Sequence, residues 1–326
     1  MSRTVWTTHK SPQLVAAALA VVLGAPGVAA ADSPTSGKAA TTYYISIGDS
    51  LASGYQPDVN QDTHIAYTDR LYAQLKQRQP GLKHIRLGCT GETTASLLKG
   101  GTCHYPNARS QLDAAAKALA MHRGHVSYVT IDIGANDILE CADDTTGAID
   151  QTCVNRAAQA IPKNLAQITR ALRQAGTSGT RYAGATYYNP FLAQWLRGAA
   201  GQQRAQDSVG LVKSENAAIS QVYAAAGFKL ADVAGAFSSD DVTHVSLPGY
   251  GEVPANLAKI CQLTWACTMS DPHPNPLGHQ VIASTFAAVL PQSGIHQQAG
   301  HADSGNVQDT RANHPKTNAN LAQTRW

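Results

Sequence analysis

Apolar residues in this chain follow two spacings that alternate between residues 43 and 290. Short runs rich in β-branched and aromatic side chains, at residues 43–47, 84–87, 126–133, 181–188 and 228–232, read as buried strands. Between them stand stretches of helical spacing: 67–79 around Leu71 and Leu75, 110–122 around Leu112 and Leu119, then 155–175, 208–226 and 278–290. In 155–175, Ile161, Leu165, Ile168 and Leu172 fall on one face, and Pro162 inside the pattern offers an alternative start for the regular helix. Pro80-Gly81 stops the first helix. Residues 238–270 read as loop-rich. Strands alternating with helices at this spacing predict a mostly parallel sheet covered on both faces, in one α/β domain over residues 41–291.

The flanks have a different character. Arg3, His9 and Lys10 precede an apolar run at 14–23 that is too short to span a bilayer comfortably, and small residues then offer cleavage after Ala30 or Ala31. Residues 1–31 are therefore expected to be a secretory signal peptide rather than an uncleaved anchor. A secreted, extracellular protein with no stable membrane anchor follows. Residues 32–40 read as a polar linker, and 292–326, poor in apolar residues, as a disordered tail.

Charge narrows the partners. Two of the 25 Lys and Arg residues lie within residues 1–31 and all 22 acids lie after residue 31, leaving a net charge of 23 − 22 = +1 with histidine neutral. Nothing in that balance points to nucleic acid or to a polybasic membrane patch. The six cysteines fall into three neighbouring pairs. An even number in an exported chain argues for disulfides; 15 pairings are possible, and the clustering favours Cys89–Cys103, Cys141–Cys153 and Cys261–Cys267. No C-x2-C spacing and no histidine pair at zinc spacing accompany them, so no metal is expected.

Candidate chemistry gathers at the strand ends. Ser50 follows the first strand in Gly48-Asp49-Ser50-Leu51, where open α/β sheets put their ligand sites, although a glycine-serine turn is also an ordinary connection. As a nucleophile Ser50 would need a base, a group to orient that base, and donors for the oxyanion. Gly91, after the second strand, could offer a backbone N–H with no side chain in the way. Asn136, after the third, could offer its amide or simply brace its turn, while Asp137 beside it reads as structural. Of twelve histidines, His273 stands out in Asp271-Pro272-His273-Pro274-Asn275, stiffened by prolines ahead of the last helix, with Asp271 placed to accept from its ring.

Those four blocks, GDSL at 48–51, CTGETT with Gly91, GAND at 134–137 and DPHPN at 271–275, resemble in order and spacing the SGNH (GDSL-type) hydrolase family. The resemblance implies Ser50 as nucleophile, His273 as base, Asp271 as its partner, and an oxyanion hole of the Ser50 N–H, the Gly91 N–H and the Asn136 side chain. It implies a flavodoxin-like three-layer α/β/α sandwich with a five-stranded parallel sheet. It implies hydrolysis of carboxylic esters, small-molecule or lipid, with no cofactor and no metal. The cysteine pattern is similar to that of secreted actinobacterial-type lipases and esterases of this family.

Two departures stand out. The commonest family spacing is D-x-x-H, whereas this chain has D-x-H, so a backbone carbonyl is an alternative orienter of His273. Arg86 and Leu87 occupy the place where an Asn often precedes the second block's glycine. His279 is a second histidine near this block, with a structural role expected from its place on the final helix.

The leading expectation is a secreted, monomeric esterase or lipase working through an acyl-enzyme. A glycan O-deacetylase on the same scaffold is the alternative within the chemistry, and a catalytically inactive secreted binding module the alternative outside it. Neither G-x-G-x-x-G nor a Walker-type lysine loop is present to suggest a nucleotide, and Ser50 lacks the G-x-S-x-G elbow.

Overall fold

Strand β1, Thr42–Gly48, lies at the centre of the architecture because its residues from Tyr44 to Gly48 are buried. A strand hidden on both faces has no polar side to present, which is why its apolar run is continuous rather than alternating. The computed structural model describes residues 39–141 and 149–290. The expected signal peptide, most of the linker and the expected tail lie outside the described residues.

Four further strands join β1: β2 at Leu82–Arg86, β3 at Val126–Asp132, β4 at Arg181–Ala185 and β5 at Lys229–Ala231. Their order is β2-β1-β3-β4-β5 and every pairing is parallel. This is the flavodoxin-like 2-1-3-4-5 order, whose switch point lies between β1 and β3. Ile45 stands opposite Ile85 on one side and Val129 on the other, so the apolar centres of three strands are level.

Helices fill the connections. The short α1, Ser50–Ser53, starts directly after β1, and α2 runs Tyr67–Arg78. Next come α3 at Thr94–Lys99, α4 at Gln111–Met121 and α5 at Ala135–Leu139. The long helices α6, Gln151–Ala175, and α7, Gly198–Ala225, are followed by α8 at Ala255–Leu263 and α9 at Pro276–Val289. α2 packs on α9, while α4, α6 and α7 pack side by side. Right-handed crossovers from a sheet of this order put those two groups on opposite faces, giving three layers.

The starts of these helices are legible as caps. Asp49, Thr93, Ser110, Asp150 and Asn275 each accept a hydrogen bond from a first-turn N–H, which satisfies donors the helix itself cannot. Asp150 settles the start of α6 before Pro162, which lies inside the helix. Two helices depart clearly from the sequence expectation, and an antiparallel hairpin of His244–Leu247 and Gly251–Pro254 also forms in the region read as loop. α7 begins at Gly198, ten residues before the expected 208, continuing from a 3-10 turn at Pro190–Arg197. Its first turns lack apolar periodicity and are held by packing: a Cβ on Gly201 would lie 2.0 Å from the Gln194 carbonyl oxygen. α8 forms inside the region read as loop, burying Leu257, Ile260 and Leu263.

The structure pairs all six cysteines, as Cys89–Cys103, Cys141–Cys153 and Cys261–Cys267. The first secures the loop after β2, the second ties the segment after α5 to the first turn of α6, and the third closes the segment after α8. Each staples a loop at the same edge of the sheet. No described helix is long and apolar enough to cross a membrane.

Candidate active site

Gly48 sets the site's geometry. Its φ is +143°, and a Cβ there would lie 2.4 Å from the Asp132 carbonyl oxygen at the end of β3. Only glycine lets β1 and β3 approach this closely before the chain turns. Gln111, reaching up from α4, closes the turn from below. Its Oε1 accepts from the Gly48 N–H at 2.6 Å, and its Nε2 donates to the Gly48 carbonyl at 3.0 Å.

Two residues later Ser50 opens α1, and only 5% of its surface is exposed. Its Oγ lies 2.8 Å from His273 Nε2. His273 Nδ1 lies 2.7 Å from Asp271 Oδ1, which also accepts the His273 backbone N–H at 2.9 Å. The structure therefore brings together three residues that span more than 220 positions of sequence. Such a chain can draw a proton from a hydroxyl and stabilise the imidazolium that forms. Burial pushes the Asp271 carboxyl up, but the hydrogen bonds and charge of His273 together outweigh it and leave the group below the usual aspartate range.

The loop carrying His273 is braced on several sides. Trp265 N–H donates to the His273 carbonyl at 3.0 Å, beside the Cys261–Cys267 bridge. Tyr188 OH donates to the Pro272 carbonyl at 2.6 Å, and Gln56 Nε2 to the Pro274 carbonyl at 2.9 Å. The Tyr55 ring lies 4.7 Å from the imidazole, centroid to centroid. His279 takes no part in this chain. It is fully buried, its Nδ1 accepts the Tyr67 N–H at 3.1 Å, and burial pulls its pKa down to about 3.

The donors expected near Ser50 occupy three adjacent turns. The Cys89 N–H donates to the Gly48 carbonyl at 3.0 Å, tying the loop after β2 to the Ser50 turn. Gly91 follows at φ +81°, exposed, with no hydrogen bond on its N–H among the described residues. The Ser50 N–H, at the first position of α1, is likewise unpaired there. Asn136 lies on α5, and its Nδ2 donates one hydrogen to the Glu92 carbonyl at 2.8 Å, leaving the other free among the described residues. Asp137 has a structural place: it accepts from the Thr94 N–H at 2.8 Å and from Thr94 Oγ1 at 2.6 Å.

Beneath Ser50 lies a network that the sequence did not announce. Asp49 and Asp132 are both 1% exposed, and the Asp49 N–H faces Asp132 Oδ2 at 3.4 Å. Tyr187 OH donates to Asp49 Oδ2 at 2.6 Å, and Tyr67 OH donates to Asp132 Oδ1. Burial raises both carboxyls, and the charge of Asp49 raises Asp132 further. In sequence Asp49 stood only as part of the Gly48-Asp49-Ser50-Leu51 turn, and Tyr187 only within the expected strand at 181–188.

Ser50, Asn136 and His273 border a cavity of about 750 Å³, counted out to solvent at its mouth. Its walls are mostly apolar, from Leu51, Ile138, Phe191, Leu211 and Ile219. Glu215 on α7 also borders it, with burial and the charge of Asp137 pushing its carboxyl up to about 7. Gly91 is exposed and does not line this cavity. Among the described residues, no group of three or more His, Cys, Asp or Glu side chains converges as metal ligands would.

Residues 46–281 match the GDSL-like lipase/acylhydrolase family. Among solved structures, an extracellular lipase from Streptomyces rimosus is similar at 18% identity, covering 76% of this chain and 100% of that one with a TM-score of 0.48. A phospholipase A1 from Streptomyces albidoflavus NA297 is similar at 19% identity, covering 77% and 100%, with a TM-score of 0.48. An acetyl xylan esterase, AlAXEase, is similar at 14% identity, covering 76% and 98%, with a TM-score of 0.47. No curated protein matches the chain.

Proposed function

The chain belongs to the GDSL-like lipase/acylhydrolase family, and on that premise we propose that it is a secreted serine hydrolase cleaving carboxylic esters through an acyl-enzyme on Ser50. The observation that carries the reading is the unbroken contact from Ser50 Oγ to His273 Nε2 and from His273 Nδ1 to Asp271, at the mouth of an apolar cavity. His273 Nε2 takes the Ser50 proton as Oγ adds to the ester carbonyl. The Ser50 and Gly91 N–H groups and the free hydrogen of Asn136 Nδ2 donate to the oxyanion that forms. Collapse of the intermediate expels the alcohol, which leaves with the proton from His273. Water, deprotonated by the same nitrogen, then attacks the acyl-enzyme and releases the acid, restoring Ser50.

Support for a secreted location comes from the three disulfides, which form and persist in oxidising compartments. The mostly apolar walls of the cavity favour an acyl chain over the acetyl of a glycan. Hydrolysis of p-nitrophenyl esters of increasing acyl length, beside an acetylated xylan, tests the reading. Turnover of medium-chain esters that Ser50→Ala abolishes is expected. Activity confined to the acetylated glycan would select the deacetylase alternative, and equal rates for wild type and Ser50→Ala would remove the mechanism.

A further inference from the structure

The polar groups on the cavity wall can be accounted for one at a time. Asn216 is spent on backbone, its Oδ1 accepting the Tyr187 N–H at 2.8 Å and its Nδ2 donating to the Tyr187 carbonyl at 2.7 Å. Tyr187 OH is committed to Asp49, whose other oxygen caps α1 through the Leu51 N–H at 2.9 Å. Tyr188 OH holds the Pro272 carbonyl. Glu215 is the exception. Its Oε1 is buried without a hydrogen-bond partner, and neither an ion pair nor a hydrogen bond reaches the carboxyl among the described residues. Its neighbours on the wall include Leu211 and Ile219, one turn away on either side of the same helix, so they offer no donor.

Glu215 is half-buried, but a carboxyl oxygen buried without a partner, as its Oε1 is, is costly. The region around it offers only another acid, Asp137, whose own oxygens are taken by Thr94. A partner for Oε1 can therefore arrive with what enters the cavity. We propose that Glu215 is a specificity-determining residue: it selects substrates whose acyl chain carries a hydrogen-bond donor, a hydroxyl or an ammonium group, away from the ester. A plain alkyl chain fills the same space but leaves Oε1 unpaired, and a site with an orphaned polar group discriminates against the analogue that cannot satisfy it. The inference rests on the reading of Ser50 as the nucleophile of an ester hydrolase, and it narrows that reading to functionalised acyl groups.

The test uses p-nitrophenyl esters of straight acyl chains of six, eight and ten carbons, each ending in methyl, hydroxyl or ammonium. The readout is the kcat/KM ratio of each donor-terminated ester to its methyl counterpart. Wild type is expected to favour a donor-terminated ester at one chain length, and Glu215→Leu to lower that ratio roughly tenfold or more. Glu215→Gln, which keeps hydrogen bonding without charge and guards against a folding defect in the leucine variant, should retain the hydroxyl preference and lose any ammonium preference. A ratio that Glu215→Leu leaves unchanged at every length overturns the proposal. Binding of the matching N-methyl amides to Ser50→Ala protein reads the same ratio without turnover. If wild type hydrolysed no ester yet that binding still discriminated through Glu215, the hydrolase reading would fall and this one would stand.

Discussion

His273 Nδ1 stands 2.7 Å from Asp271 Oδ1 although a single proline separates the two residues in the chain. The spacing works because Asp271 folds back on its own turn. The oxygen that meets the imidazole also accepts the His273 backbone N–H at 2.9 Å, so one carboxylate both shapes the turn and orients the ring. The shorter D-x-H spacing is thus met by a local Asx-type turn rather than by a backbone carbonyl from elsewhere.

Asp271→Asn separates those two roles, since asparagine keeps an oxygen for the turn and loses the charge. With Ser50 acting as proposed, kcat should fall by roughly tenfold to thousandfold while the melting temperature changes little. Steady-state kinetics beside a thermal melt checks this.

Asn136 is expected to act on the transition state. Asn136→Ala should lower kcat by about a hundredfold to a thousandfold and leave KM near its wild-type value, as for loss of an oxyanion donor. Because Asn136 Nδ2 also holds the Glu92 carbonyl, a melt on the same sample separates lost catalysis from lost structure.

The Asp49–Asp132 pair makes a prediction about stability and pH. Both pKa values are raised in the fold, chiefly by burial, so the folded protein keeps a proton that the unfolded chain releases above the ordinary aspartate value of 3.8. The folded state then binds more protons than the unfolded one, and this pair's contribution to stability declines as pH rises from that value toward the raised one. Asp132→Asn imitates the protonated acid and can still accept from Tyr67. Its stability relative to wild type should grow by roughly 1–3 kcal/mol between about pH 5 and pH 8. Urea unfolding at the two pH values measures it; a constant difference would mean that the fold does not raise the Asp132 pKa.

How much of this was legible in sequence follows from where each residue's partners lie. Ser50, Gly91, Asn136 and His273 could be picked out because each sits in a turn whose glycines, prolines or neighbours mark a strand end, and turns are local. Gln111 could not. It looks like an ordinary first-turn helix residue, and its grip on Gly48 depends on a contact across 63 positions. The same holds for Asp132, which reads as part of a strand until β1 brings Asp49 beside it, and for Glu215, one of two acids on α7. The start of α7 was hidden for a related reason, since residues 198–207 become helical through packing rather than through periodicity. α8 was more nearly visible, because Leu257, Ile260 and Leu263 keep a spacing of three.

The Cys89–Cys103 bridge closes the loop that presents Gly91. Replacing both cysteines by alanine should destabilise the protein by about 3 kcal/mol, as expected for a closed loop of that size. Activity should fall more steeply with temperature than in wild type, because the loop is tied to the Ser50 turn through the Cys89 N–H. Calorimetry and a temperature series on the double variant test both parts.

The central claim is that Ser50 is the nucleophile and that His273 activates it. Its most direct test is reaction with a fluorophosphonate followed by peptide mass spectrometry. Wild type should gain one adduct, on the peptide containing Ser50, with labelling slowed in His273→Ala and absent in Ser50→Ala. An adduct on another residue, or equal labelling of wild type and Ser50→Ala, would contradict the account.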